Sequence, residues 1–154
     1  MIIQAANPAE AAELSALAMR SKAHWGYDQA FMRHVRDELT YQPAQLLTNP
    51  TFVARNGAQL LGFYQLIRLA DERCELEALF VDPAAMGQGV GQSLFRHMTQ
   101  FCAAHGVIEV VIQSDPFAEG FYLQAGCVRV GSQPSASIPG RELPLLSYRL
   151  PANG

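Results

Sequence analysis

Apolar residues recur along this chain with two different periods. Near the N-terminus Ala11, Leu14, Leu17 and Ala18 fall on one helical stripe. Asn7 ahead of them is a good N-cap, Pro8 suits the first helical position, and Glu10 can complete a capping box. A helix is therefore predicted to about Ser21, preceded by a short strand over residues 2–5. Asp28 has the character of a second N-cap, and Phe31, Met32, Val35 and Leu39 follow at helical spacing. The period then switches. Thr51–Arg55 runs into Asn56-Gly57, the strongest short hairpin signal, because both turn positions favour positive φ. A return strand is predicted from about Gln59 to Leu69, and Asp71-Glu72 marks another turn. The next strand, Cys74 to Val81, alternates Glu75, Glu77, Leu79 and Val81 against Leu76, Ala78 and Phe80. That alternation puts two carboxylates on one face.

Pro83 ends this strand and a glycine-rich turn follows. Gly89 to His105 reads as a helix with Val90, Leu94, Met98, Phe101 and Cys102 on one stripe, and Gly106 is its natural C′ residue. Val107 to Ile112 is apolar except for Glu109, as expected of a strand inside a sheet. Asp115-Pro116 caps a short helix that ends near Gly126. Cys127 to Gly131 and Leu143 to Leu150 are the last strands, separated by a Pro/Ser/Gly loop, Ser132 to Arg141, of functional length. The predicted order is β-α-α-β-β-β-α-β-α-β-β. It describes a mixed α/β or α+β sheet, with a meander of hairpins, one crossover helix near the centre and helices packed on it. No repeat or linker divides the chain, so residues 1–154 are expected to form one domain.

The chain's 154 residues suit a domain of that kind. With 49% hydrophobic and 16% charged residues, a mainly disordered chain is excluded. A net charge of −3 without any Lys/Arg run argues against binding nucleic acid through phosphates. No apolar run approaches the ~20 residues of a membrane span, and Met1 to Pro8 has neither the basic nor the apolar region of a signal peptide. Cys74, Cys102 and Cys127 form an odd set with no CxxC or Cys/His spacing. They read as small buried hydrophobes, with no disulfide framework and no metal site, and the expected compartment is the reducing cytoplasm.

The most informative segment runs Leu79-Phe80-Val81-Asp82-Pro83-Ala84-Ala85-Met86-Gly87-Gln88-Gly89-Val90-Gly91. Glycines at alternate positions between a strand and a long helix allow positive φ and close approach of a ligand to the backbone. The free amides of the helix N-terminus and its dipole then favour an anion, so the turn reads as a phosphate or pyrophosphate cradle. A Walker loop would need Gly-Lys-Ser/Thr, and Gly91-Gln92-Ser93 has no Lys. A dinucleotide fingerprint would need a third glycine where Gln92 stands.

This segment resembles the acyl-CoA-binding motif of the GNAT superfamily of N-acetyltransferases, Gln/Arg-x-x-Gly-x-Gly/Ala. Gly89 and Gly91 match its glycines, and Met86 stands where the family prefers Gln or Arg. A second segment, Asp115-Pro116-Phe117-Ala118-Glu119-Gly120-Phe121-Tyr122-Leu123-Gln124-Ala125-Gly126-Cys127, is similar to the family's later motif, Asn-x-x-Ala-x-x-Phe-Tyr-x-x-x-Gly-Phe. There Asp115 replaces Asn and Cys127 replaces an aromatic or aliphatic residue. The resemblance covers essentially the whole chain. It implies the GNAT fold, a mostly antiparallel sheet of about six to seven strands with helices on both faces and a splayed central strand pair.

The resemblance further implies acetyl-CoA as the donor. The pantetheine arm would lie where Leu79-Phe80-Val81 splays from Val110-Val111-Ile112, and a backbone N–H of Phe80 or Val81 would polarise the thioester. Met86, Gly87, Gln88, Gly89, Val90, Gly91 and Gln92 would hold the pyrophosphate, and Asp115, Phe117, Ala118, Phe121 and Tyr122 would complete the donor site. Tyr122 matches the motif tyrosine and is the candidate general acid for the departing thiolate. Glu75 and Glu77 are candidates for the base that deprotonates the amine, and two neighbouring carboxylates raise one pKa toward neutrality. Trp25 and Tyr27 could wall the acceptor pocket, and Arg141 could grip a substrate carboxylate. The expected reaction moves an acetyl group to a primary amine of a small molecule by direct attack in a ternary complex. The alternatives are a protein or peptide amine as acceptor, and an acyl-CoA-binding module without chemistry. Dimers are frequent in families resembling this one, so the resemblance points to a homodimer.

Overall fold

Three hairpins and one helical crossover set the strand order. The computed structural model describes residues 1–151, so residues 152–154 of the expected 1–154 domain lie outside the described residues. Its strands are β1 (Ile2–Ala5), β2 (Thr51–Asn56), β3 (Gln59–Ala70), β4 (Arg73–Val81), β5 (Glu109–Gln113), β6 (Val128–Pro134) and β7 (Glu142–Arg149). Its helices are α1 (Ala11–Ala23), α2 (Gln29–Val35), α3 (Pro43–Thr48), α4 (Val90–Ala104) and α5 (Glu119–Gln124). The sheet order is β1-β2-β3-β4-β5-β7-β6, antiparallel everywhere except between β4 and β5, which α4 connects. No helix among the described residues is long and apolar enough to cross a membrane.

Each face of the sheet carries its own core. On one side Leu14, Leu17, Val35, Leu39, Val53, Phe63 and Ala78 pack under α1 to α3. On the other Tyr64, Leu66, Leu76, Val110 and Ile112 pack against Leu94, Met98 and Cys102 of α4 and Tyr122 of α5. Neighbours such as Phe63 and Tyr64 on β3 alternate between the cores, as a pleated strand covered on both faces must. All three cysteines are free and buried.

The structure departs from the sequence reading at several points. Leu39 lies in a turn beyond α2, which ends at Val35, although its side chain still reaches the core. Helix α3 was not anticipated; with six residues it is too short to show a period, and it starts at Pro43 with the Gln45 side chain accepting from the Gln42 amide at 2.7 Å. The β2–β3 loop is Gly57-Ala58, because Asn56 pairs with Gln59, and only Gly57 has positive φ (63°). Glycine at the first loop position alone suits the other common hairpin turn. Strand β5 starts at Glu109 rather than Val107. Strand β6 extends to Pro134, which shortens the last loop to residues 135–141.

One departure bears on the site. Gln65 of β3 pairs with Ala78 while Leu66 pairs with Leu76, so Glu77 is an extra residue, a β-bulge. The alternation therefore does not run unbroken along β4. Beyond the bulge Leu79 and Val81 pack with the α4-side core, and Ala78 and Phe80 with the α1-side core. Glu75 and Glu77 do not share a face with Leu79 and Val81.

Candidate active site

Strands β4 and β5 part company early. Their parallel pairing covers only Arg73, Cys74 and Glu75 opposite Glu109, Val110 and Val111. Beyond that point Leu76 to Val81 on one side and Ile112 to Asp115 on the other border a cavity of about 560 Å³. The register fixes which backbone groups face the gap. The Asp82 N–H donates to the Leu61 carbonyl at 2.8 Å. Antiparallel pairing alternates, so the Phe80 N–H also turns toward β3, while those of Leu79 and Val81 turn toward the opening.

At one end of the cavity lies the glycine turn. Gly87 and Gly89 have φ of 80° and 79°, and Gly89 is the N-cap of α4. A Cβ at Gly89 would meet no protein atom within 4 Å, so the space before its amide is open. Gly91 packs against Phe121, to which an added Cβ would come within 3.4 Å. Met86 and Gly91 line the cavity. Gly87, Gln88 and Gly89 form the exposed turn beside it. The Val90 side chain is buried in the core, leaving only its amide available. Gln92 lines a separate cavity of about 320 Å³ with Arg96, Phe121 and Gln124.

Tyr122 is carried by α5 into the α4-side core and is only 6% exposed. It also lines the cavity, and its hydroxyl has no hydrogen-bond partner among the described residues. Burial, with smaller contributions from Cys127 and Asp115, pushes its phenol well above the usual range, so it keeps its proton. Phe117, Ala118 and Phe121 line the same wall.

From the opposite face of the sheet Glu75 and Glu77 reach the cavity. Burial pushes Glu77 up to about 7; a hydrogen bond from the Tyr41 hydroxyl at 3.1 Å works against that, and the charges of Glu75 and Glu38 add to it. Burial also raises Glu75. Tyr41 and Glu38, both at the cavity wall, were not visible in the sequence. They sit in non-periodic chain between α2 and α3, and their one shared feature is proximity in space.

A third group straps the cavity's outer side. Lys22 Nζ donates to Asp115 at 2.6 Å, and Tyr27 donates to the same carboxylate at 2.9 Å. Arg141 donates to the Tyr27 hydroxyl at 2.6 Å and lies over the Tyr27 and Phe31 rings. Burial alone would raise the Asp115 carboxyl, but Lys22, the Phe117 amide and Tyr27 hold it below its usual range. Burial and the Asp115 carboxylate push Tyr27 up to about 12. Trp25 stacks on Phe117 with centroids 5.4 Å apart. Trp25 and Arg141 line the cavity, whereas Tyr27 sits behind it. The guanidinium of Arg141 is thus occupied by protein partners. Lys22, absent from the sequence candidates, is the charge that joins α1 to the segment after β5.

A family model described as an acetyltransferase (GNAT) domain matches residues 10–137. The N-alpha-acetyltransferase RimI of Mycobacterium tuberculosis is 34% identical over 82 residues. That stretch is 51% of this chain and 51% of that protein, so the match spans about half the length of the curated relative. A GCN5-related N-acetyltransferase from Rhodopseudomonas palustris superposes with a TM-score of 0.81 at 20% identity, covering 97% of this chain and 95% of that one. A PaiA N-acetyltransferase from Thermoplasma acidophilum, solved with coenzyme A, gives 0.79 at 15% identity over 96% and 98%. At these identities the two structures speak to the fold.

Proposed function

The chain belongs to the GNAT acetyltransferase family, and from that premise we propose that it transfers an acetyl group from acetyl-CoA to a primary amine of a small molecule, by direct attack in a ternary complex. The observation that carries this reading is the cavity at the β4–β5 splay, which Tyr122 lines from one face of the sheet and Glu77 from the other. The exposed turn with positive φ at Gly87 and Gly89 suits the pyrophosphate, since a Cβ added at either glycine would meet no protein atom within 4 Å and the amides at the start of α4 are open to an anion. Met86, Gln88, Val90, Gly91 and Gln92 would contribute mainly backbone. Asp115 would act here through Lys22 and Tyr27 rather than on the donor.

Each step then has an owner among these residues. Glu77 takes a proton from the acceptor ammonium; its raised carboxyl pKa fits a base working near neutrality. The amine nitrogen attacks the thioester carbonyl carbon, and a C–N bond forms as negative charge gathers on the oxygen. The Val81 N–H, turned to the gap, receives that charge; the register favours it over Phe80. As the C–S bond breaks, Tyr122 gives its proton to the sulfur, and the second proton that the nitrogen sheds on becoming an amide passes through solvent to restore the Tyr122 phenol. A free thiol titrates near 8.5 and a phenol near 10, and burial raises Tyr122 further, so the transfer relies on the geometry that holds the hydroxyl beside the departing sulfur. Glu75 is the weaker base candidate, with burial as the only resolved influence on it.

The size of the cavity and its cover of Trp25, Phe117 and Arg141 favour a small acceptor. A peptide N-terminus is the second reading, favoured by the similarity to RimI. Release of free CoA thiol, followed with a panel of small amines and short peptides, tests both. Turnover with small amines supports the first reading, and turnover with peptides alone replaces it with the second.

A further inference from the structure

Glu77 is the extra residue of the β4 bulge, and a bulge re-aims its side chain. Here it meets Tyr41, whose hydroxyl donates to Glu77 Oε2 at 3.1 Å. Among the described residues this is the only hydrogen bond that either side chain makes. Both residues line the cavity. Tyr41 is itself pinned. Its N–H donates to Ser15 Oγ at 2.8 Å, and Ser15 Oγ donates to the Ala11 carbonyl of α1 at 2.8 Å. Its ring meets Phe63 of β3 edge-on, with centroids 5.4 Å apart. Only 5% exposed, it belongs to the α1-side core. The phenol is thus a fixed point set between helix and sheet, and the half-buried Glu77 carboxylate is tied to it.

A glutamate at a cavity wall can swing about its torsions, whereas a base must present one oxygen to the amine in a fixed place. With Oε2 tied to Tyr41, Oε1 is left to take the proton. Resting on the reading of Glu77 as the base, we propose that Tyr41 is a positioning residue for the acetyl transfer, its phenol holding the Glu77 carboxylate in one orientation at the cavity wall. Burial and the Glu77 charge keep that phenol protonated, so the bond is available at any working pH. The bond favours the ionised carboxylate. It acts against burial and against the charges of Glu75 on β4 and Glu38 beyond α2. Lys22 of α1 and Arg141 ahead of β7 lie on the same cavity wall but are engaged by Asp115 and Tyr27. Without the bond, Glu77 keeps its proton to higher pH.

The test joins NMR titration of isotope-labelled glutamate carboxyl carbons in the full chain to the pH profile of kcat/KM. Glu77→Gln identifies the Glu77 resonance by its loss. Tyr41→Phe keeps the ring and its packing and removes only the hydroxyl. In that variant the Glu77 titration should move up from about 7 by about one pH unit. The limb of kcat/KM that rises with pH should move with it. Above the limb, kcat should fall about tenfold through lost orientation, while the KM for acetyl-CoA stays near the parent value. A merely structural Tyr41 would lower the melting temperature and leave the titration and the limb in place, which overturns the proposal. A titration that moves while the limb stays also overturns it, since the bond would then have no part in the transfer. Glu77→Gln separates this failure from that of the base reading. If the limb survives in Glu77→Gln, Glu77 is not the base and both readings fall. If the limb is lost there yet unmoved in Tyr41→Phe, the base reading stands and only the positioning role is refuted.

Discussion

The two halves of the cavity are made of different material. The half proposed to take the donor is backbone: a strand edge with N–H groups of Leu79 and Val81 turned to the gap, a turn with positive φ at Gly87 and Gly89, and the first amides of α4. The half proposed to take the acceptor is side chain: Glu38, Tyr41, Glu75, Glu77 and the strap of Lys22, Tyr27, Asp115 and Arg141. Backbone donors are present whatever the side chains, so on the proposed reading this half should tolerate Met86 where the family's motif has Gln or Arg. A wall of charges and hydroxyls can be rewritten residue by residue, and in the proposed function it is the part that would set which amine is admitted. The most direct way to break this division is to damage the donor half without touching a side chain. Gly89→Val forces a β-branched residue into φ of 79° and fills the space before the amides, while meeting no protein atom with its Cβ. Acetyl-CoA affinity should fall by more than about 100-fold, with the melting curve lowered by only a few degrees. Calorimetry and circular dichroism together check this; retained affinity would mean that the turn is not the cradle.

The same division explains what the sequence disclosed. The glycine turn lies in contiguous chain, so the spacing of Gly87, Gly89 and Gly91 between a strand and a helix marked it directly as a candidate. Helices α1 and α4 and the hairpin meander were legible for the same reason, each being a local pattern. The strap was not, because its bonds join Lys22 to Asp115 and Tyr27 to Arg141, 93 and 114 residues apart. Trp25, Tyr27 and Arg141 stood out as residue types, but not that Arg141 is spent on Tyr27. The bulge at Glu77 escaped because strict alternation is the default reading of a strand, and only pairing with β3 reveals an extra residue.

Tyr122 and Glu77 lie where the two halves meet, and their variants sharpen the boundary. Tyr122→Phe removes only the hydroxyl and should lower kcat by about 100-fold, the scale of a lost general acid. The KM for acetyl-CoA should hardly move, since the ring still packs in the α4-side core. An unchanged kcat would remove Tyr122 from the acid role. Glu77→Gln should lower kcat/KM by roughly tenfold and abolish the limb that rises with pH through about 7. A surviving limb would pass the base role to Glu75. The same variant carries a stability signature. The folded-state carboxyl of Glu77 titrates above its unfolded value of 4.5, so its contribution is complete below that value and is lost as pH rises through about 7. Glu77→Gln should therefore melt higher than the parent at pH 8, by about 5 °C, and close to it at pH 4.5.

The smallest effect should come from the strap. Lys22 and Asp115 are both largely covered, with side chains 12% and 11% exposed. Lys22→Met keeps the stem in place and removes the charge, leaving Asp115 with Tyr27 and with Arg141 at 3.6 Å. Because these partners remain, the loss should be about 1–2 kcal/mol rather than the 3–5 kcal/mol of a buried pair broken outright, a fall of about 3–6 °C in Tm. Asp115 titrates below its usual 3.8, so this contribution exists above that value and fades as pH drops beneath it. The parent and variant melting curves should converge on acidification from pH 7 toward pH 3. The KM for the acceptor should rise about threefold as Trp25 and Phe117 lose their anchor, while acetyl-CoA affinity changes less. A larger change on the donor side than on the acceptor side would show that the strap serves the cofactor, and that the division between backbone and side-chain halves is drawn in the wrong place.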